Sequence, residues 1–176
     1  YGNFLHVRID MNYWDAVILG IVEGLTEFLP ISSTGHLMLA SDLMGLPATE
    51  FLKSFEIAIQ LGAILSVVAL YFKRLLVDFE TVKKIIVAFI PTAILGVLLY
   101  KIVKTVFMDG TQIVLWALFL GGIFIVIFEK FHKEDKNAAQ DLSAITYKQA
   151  FLIGVFQAFA MVPGVSRAGA TIIGGL

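Results

Sequence analysis

Apolar residues run in long blocks along this chain, and the few polar positions inside the blocks are as informative as the blocks themselves. Three runs are long enough to cross a lipid bilayer, which takes about 20 mostly apolar residues in a helix. Residues 55–72 carry Glu56 and Gln60. Residues 85–103 carry Pro91 and Gly96, with Lys101 near the end. Residues 113–128 are uncharged, with Trp116 near one end. Two further runs are shorter and stop at proline: residues 14–29 hold Glu23 and Glu27 and end at Pro30, and residues 150–162 hold Gln157 and end at Pro163. A segment that enters a membrane and breaks there is tolerated where it lines a polar cavity.

The two broken runs resemble each other. The first reads Gly20-x-x-Glu23 and then Pro30-Ile31-Ser32-Ser33-Thr34-Gly35. The second reads Gly154-x-x-Gln157 and then Pro163-Gly164-Val165-Ser166-Arg167-Ala168-Gly169. Such a repeat of interrupted apolar segments points to a midplane site between the repeats. Loop charge sets the expected orientation. The 73–84 loop carries Lys73, Arg74, Lys83 and Lys84, and the 129–148 segment carries Lys130, Lys133, Lys136 and Lys148, whereas the 104–112 loop carries Lys104 alone. The two lysine-rich loops are expected on the cytoplasmic side, and the 30–54 region on the outer side. The second motif enters from the cytoplasmic side, so it can meet the first only inside the membrane or near the outer surface.

Composition strengthens the membrane reading. The 176 residues are 59% hydrophobic and 15% charged, and mean hydropathy is +0.88; an average soluble domain is roughly 45–50% apolar and about 25% charged. A very apolar soluble bundle is the alternative. Net charge is −1, and no basic stripe points to nucleic acid. Without cysteine, thiolate and disulfide chemistry are excluded. Residues 1–10 are mixed in character and lack the pattern of a cleaved signal peptide. They are expected to be a leader or a cloning remnant, with residues 11–176 forming a single transmembrane domain.

Ionisable residues in such a chain are costly and usually functional. Glu23 and Glu27 are four apart and share a helix face; as oxygen ligands they suit a divalent cation such as Mg²⁺ or Ca²⁺, and they could equally relay protons or face water. After Pro30, the small residues Ser32, Ser33, Thr34 and Gly35 allow backbone N–H groups to converge on an anion, at the positive end of a helix starting near Gly35. The bland reading is a helix cap on His36–Met44, and the two are compatible. His36 could act as a general acid or base. Arg167, next to Ser166, offers a guanidinium fork for phosphate, or snorkels to headgroups. Gln60 is expected to hydrogen-bond between helices, outside the site. Metal ligands, nucleophile, acid/base and anion clamp together suit phosphoryl-group hydrolysis, without identifying the lipid.

Three blocks carry a family resemblance. The stretch from Glu23 through Pro30 to His36, the block Phe55-Glu56-Ile57-Ala58-Ile59-Gln60-Leu61-Gly62, and the stretch from Pro163 through Ser166 and Arg167 to Thr171 together resemble the bacterial undecaprenyl-diphosphate phosphatases, also called bacitracin-resistance proteins. The resemblance runs from about Trp14 to the end. It implies an all-α polytopic integral membrane protein with inverted repeats and re-entrant, broken helices. It implies hydrolysis of undecaprenyl diphosphate to undecaprenyl phosphate and inorganic phosphate. That reaction recycles the carrier lipid for peptidoglycan synthesis and confers bacitracin resistance. The implied location is the bacterial plasma (inner) membrane, with the active site facing the extracytoplasmic side.

Carried over by position, Glu23 and Glu27 match the acidic motif tied to metal-dependent catalysis, Ser33 the nucleophile and His36 a catalytic partner. Ser166 and Arg167 match the diphosphate-binding motif, with Ser32, Thr34 and Gly35 completing the phosphate grip. His36 or a metal-activated water could replace Ser33 as the attacking group using the same residues. The expected partners are the polyprenyl diphosphate lipid and the membrane, with a homodimer among the possible assemblies. Two departures stand out. Ala168 replaces a serine common in the family. Family members are also longer, so closing helices are expected to be missing, and residues 170–176 are expected to be too short for a returning half. A transporter or flippase of an anionic lipid or small anion is the second reading, since broken helices and midplane charge suit alternating access. A structural membrane subunit is the third.

Overall fold

The structure, a computed structural model, describes residues 11–102, 111–132 and 144–176, with only the backbone for residues 74–76, 102 and 111. The leader segment 1–10 and the loop lysines Lys104, Lys133 and Lys136 lie outside the described residues, as does the Arg74 side chain. Seven α-helices follow one another, and no strand occurs among the described residues: α1 (Tyr13–Thr26), α2 (Ser33–Leu43), α3 (Glu50–Val77), α4 (Phe79–Ile102), α5 (Thr111–Phe131), α6 (Tyr147–Ala158) and α7 (Arg167–Gly175).

Helix length separates two kinds of element. At 1.5 Å per residue, α3, α4 and α5 are roughly 30–40 Å long, enough for a hydrocarbon core of about 30 Å. Among the described residues these three are the helices long and apolar enough to cross a membrane, and few of their residues are fully buried. The other four helices reach only roughly 14–21 Å, a length that would cross about half a bilayer. They pair through breaks: α1 and α2 across residues 27–32, and α6 and α7 across a 3-10 turn (Phe159–Met161) and residues 162–166. This is the all-α membrane architecture with broken helices that the apolar pattern predicts. Nine residues of α7 return along α6.

Both hairpins start alike. Asn12 and Asp15 form a reciprocal capping box on α1, and Thr146 and Gln149 form one on α6, each satisfying N–H groups that a helix start leaves open. The first hairpin is held by a cluster of Leu19, Leu37, Leu46 and Leu52, flanked by Val22, Phe55 and Ile59. Between α2 and α3, the described side-chain link is Ser41 donating to Glu56 at 2.8 Å, rather than a bond from Gln60. Helix α3 starts at Glu50 and α4 at Phe79, earlier than the apolar runs suggest. Charged side chains at these ends pair locally, as Lys53 does with Glu50 and Lys83 with Glu80, and so extend each helix beyond its apolar run.

The second hairpin rests on α4. Helix α4 continues through Pro91, and next to it Thr92 accepts a hydrogen bond from Gln157 Nε2 at 3.2 Å and donates to the Gly154 carbonyl at 3.1 Å. A Cβ at Gly154 would stand 1.9 Å from the Ala88 carbonyl oxygen. Small residues allow such backbone approach between helices in lipid, where packing and hydrogen bonds replace the hydrophobic effect as the cohesive force. Gly154→Val is therefore expected to cost about 1–3 kcal/mol or more, as overpacking does. Thermal unfolding in detergent should show a lowered midpoint, whereas Gly24→Ala, where no atom beyond the helix's own backbone lies within 4 Å of the added carbon, should not lower it and, in mid-helix, should raise it slightly.

Candidate active site at the two helix breaks

The first break delivers its residues by stopping α1 one turn early. Helix α1 ends at Thr26, and Glu27 caps it with right-handed backbone, its N–H still donating to the Glu23 carbonyl at 2.9 Å. Glu23 and Glu27 therefore stay on one face although the regular helix has ended. Leu29 and Ile31 donate to the Thr26 and Leu29 carbonyls in two tight turns. The chain then reaches Ser32 with φ 64° and ψ 92°. That is the left-handed side of backbone space, which costs an L-residue of order 1 kcal/mol or more. No side chain caps the start of α2, in contrast to α1, α6 and α7.

The second break is built to meet it. Ser166 caps α7, accepting from the Gly169 N–H at 3.1 Å, and its own hydroxyl donates to the Leu29 carbonyl at 3.4 Å. Arg167 then points a guanidinium nitrogen at Glu27 Oε1, 3.5 Å away, with Arg167 half exposed and the Glu27 side chain only 9% exposed. The other Glu27 oxygen accepts a short hydrogen bond from the Ser33 hydroxyl. Glu27, Ser32, Ser33, Thr34, Ser166 and Arg167 line one cleft of about 30 Å³, with Ala160 and Val165. A water molecule occupies about 10–15 Å³ by this measure, so the cleft as it stands admits water but not a phosphate group. A larger apolar groove of about 440 Å³ lies along α4, between Phe89 and Tyr100. It carries no charged group, so the ionisable chemistry is in the smaller cleft.

Glu23 is the other unusual group. It is 1% exposed, and neither of its carboxylate oxygens has a hydrogen-bond partner among the described residues. The charges that act on it are those of Glu27 and Arg167, with Ser33 close by. A buried unpaired carboxylate is costly unless a proton or a cation meets it. This orphaned pair of oxygens, beside a second carboxylate and the Ser33 hydroxyl, fits a hard divalent cation by donor chemistry. No group of three or more His, Cys, Asp or Glu side chains gathers among the described residues. Two carboxylates and a hydroxyl are oxygen donors of the kind that both Mg²⁺ and Ca²⁺ take.

Not every expected residue enters the cleft. His36 is half-buried on α2, and its Nδ1 donates to the Ser32 carbonyl at 2.9 Å. A carbonyl can only accept, so Nδ1 carries a proton. The hydroxyl of Ser33 meets Glu27, not His36. Gly35 does not line the cleft; a Cβ there would lie 2.8 Å from a methyl of Leu118 on α5, so the position also has a packing requirement. Pro30, besides breaking the first run, lies beside Gly169.

Residues 16–176 match the family described as bacitracin resistance protein BacA. The chain belongs to that family. It is 56% identical over 166 residues to an undecaprenyl-diphosphatase of Sulfurihydrogenibium sp. (strain YO3AOP1), covering 94% of this chain and 65% of that protein. Identity is 54% over 166 residues to the undecaprenyl-diphosphatases of Aquifex aeolicus (strain VF5) and Wolinella succinogenes, with 94% of this chain and 64% of each relative covered. The chain thus spans a little under two thirds of the length of these relatives.

One prediction concerns Ser32. Because glycine adopts positive φ without steric cost, Ser32→Gly is expected to raise the thermal midpoint by roughly 2–4 °C per kcal/mol of relieved strain. Ser32→Ala, which keeps the Cβ, should not raise it. Parallel thermal denaturation of the two variants checks this.

Proposed function

We propose that this protein is a membrane phosphatase that hydrolyses undecaprenyl diphosphate to undecaprenyl phosphate and inorganic phosphate. The observation that carries the reading is the meeting of Glu27, Ser33 and Arg167 in one cleft from breaks 140 residues apart, in a chain of a family whose relatives bear that enzymatic name. Phosphoryl transfer depends mainly on positioning and on stabilising charge. The cleft supplies both.

In this mechanism the diphosphate enters between the two breaks and its isoprenoid tail stays in lipid. Arg167 leaves Glu27 for the terminal phosphate, and the open N–H groups at the start of α2 face the same oxygens. The Ser33 oxygen attacks the terminal phosphorus while Glu27 takes its proton. The bond from that phosphorus to the bridging oxygen breaks, and undecaprenyl phosphate departs with the bridging oxygen. Water, deprotonated by a carboxylate, then cleaves the phosphoserine and returns the proton to the serine oxygen. Glu23 and Glu27 would hold a divalent cation, which when bound offsets the negative charge of the diphosphate. The site opens on the extracytoplasmic side of the bacterial plasma membrane in this reading, which is supported by Lys73, Lys83, Lys84, Lys130 and Lys148 in the two loops expected on the cytoplasmic side.

Release of inorganic phosphate from undecaprenyl diphosphate by purified protein tests the proposal. Glu23→Ala and Arg167→Ala should each lower the rate by about 10²-fold or more, the scale of losing one charge-stabilising group. Arg167→Lys, which keeps charge but loses the fork, should recover part of it. Half-exposed Arg167 contributes little to folding, so its variants should keep the parent thermal midpoint. Equal release by parent, Glu23→Ala and Arg167→Ala would sink the proposal, as would lipid transfer across vesicles without any phosphate release.

A further inference from the structure

Three glycines at the two breaks face one helix. A Cβ on Gly35, in the first turn of α2, would lie 2.8 Å from Leu118. One on Gly164, before α7, would lie 2.6 Å from the Val114 carbonyl oxygen and 2.8 Å from the Ala117 Cβ. One on Gly169, in the first turn of α7, would lie 3.4 Å from Ile125 and 3.5 Å from the Pro30 Cβ. Val114, Ala117, Leu118 and Ile125 all belong to α5, at helical spacings that place them along one side. Val114 is 1% exposed on a helix whose other described side chains are largely open. From Val114 to Ile125, α5 advances by about 16 Å, and both breaks are seated within that stretch.

From this geometry we infer that α5 is the positioning element of the site: Val114, Ala117 and Leu118 fix how closely the two breaks approach, and so set Arg167 against Glu27 and Ser33. Direct links between the breaks are few and long, the Ser166 hydroxyl to the Leu29 carbonyl at 3.4 Å and Arg167 to Glu27 at 3.5 Å. Contacts of that length do not fix a register. Close-packed backbone on a helix does, because interiors transmit displacement instead of absorbing it. Gly164 is bound twice over, since its φ of +94° and the Val114 carbonyl both exclude a side chain. Gly35 has ordinary helical backbone and is limited only by Leu118, so its size requirement can be moved to the other partner.

The test is a size exchange read in two ways, of which only the rate rests on the phosphatase reading. Cross-linking is read in a Pro30→Cys/Gly169→Cys background. The chain has no other cysteine, and the two Cβ atoms would stand 3.5 Å apart, within the roughly 3.5–4.5 Å that a disulfide spans. Gly35→Val should lower disulfide yield on oxidation, and in the cysteine-free chain it should lower phosphate release roughly 10- to 100-fold, the scale of an ångström-sized misplacement. Adding Leu118→Ala should restore both. If Gly35→Val does not fold, Ala117→Leu serves in its place, with Ala117→Ser as the conservative variant expected to keep parent cross-linking and rate. Failure of Leu118→Ala to restore cross-linking, or parent cross-linking in Ala117→Leu, overturns the inference. Restored cross-linking in a chain from which even the parent releases no phosphate upholds it and overturns the enzyme reading instead.

Discussion

Glu27 and Arg167 come from breaks 140 residues apart and stand 3.5 Å from each other, and the rest of the structure is arranged around that meeting. A carboxylate or a guanidinium at membrane depth is expensive alone. Each break brings one of them there, because a helix that stops at half depth exposes backbone and polar side chains where lipid cannot satisfy them. Neither hairpin therefore closes its own polar account. The first lacks a cation and the second lacks an anion, so each hairpin finds the partner for its charge in the other.

The two hairpins share a plan and divide the chemistry. Both begin with a capping box, run about three to four turns, break near a proline and restart within a Gly-containing segment. At matching positions, however, α1 has Glu23 and α6 has Gln157. The amide is neutral and already bonded to Thr92, so it locks α6 to α4. The carboxylate has no hydrogen-bond partner among the described residues, so it is left for a proton or a cation. The restarts differ in the same sense. The Ser166 hydroxyl caps α7, while α2 starts without a side-chain cap. The polar groups of the second repeat are the better satisfied within the protein, and those of the first are left more open.

This division was only partly legible in the sequence. Long apolar runs announced the three spans, and Pro30 and Pro163 announced the breaks, because proline and lipid each impose constraints that a single chain displays. Glu23, Glu27, Ser33 and Arg167 stood out because charge and hydroxyls are rare in such runs. What the sequence hid was which group meets which. His36 lies three residues after Ser33 and looked like its partner, yet helical geometry aims its Nδ1 back at the Ser32 carbonyl, and the turn at residues 27–32 brings Glu27 to the serine. Gly35 looked like part of an anion cradle because it follows Ser-Thr. Its packing constraint comes from Leu118, 83 positions later. Val114, Ala117 and Leu118 could not be singled out at all, since a helix face seated against glycines has the same composition as one facing lipid.

The closed cleft then bears on how a substrate could enter on the phosphatase reading. The cleft of about 30 Å³ has room for water alone, and its narrowest closure is the Glu27–Arg167 pair. A terminal phosphate offers Arg167 a partner of greater charge and equal geometry, since carboxylate and phosphate both accept the guanidinium fork. Arg167 can therefore change partners without passing through an unpaired state. Glu27 cannot. Once Arg167 turns away, Glu27 and Glu23 stand together beside a diphosphate with only the Ser33 hydroxyl donating to Glu27, and three like charges in low dielectric repel strongly. The same event that admits the substrate thus creates a demand for positive charge beside Glu27 and Glu23, which a proton from outside the cleft or a divalent cation would meet. Moving the Ser33 proton onto Glu27 relocates charge within the site without changing its sum, so the attack itself does not supply that compensation.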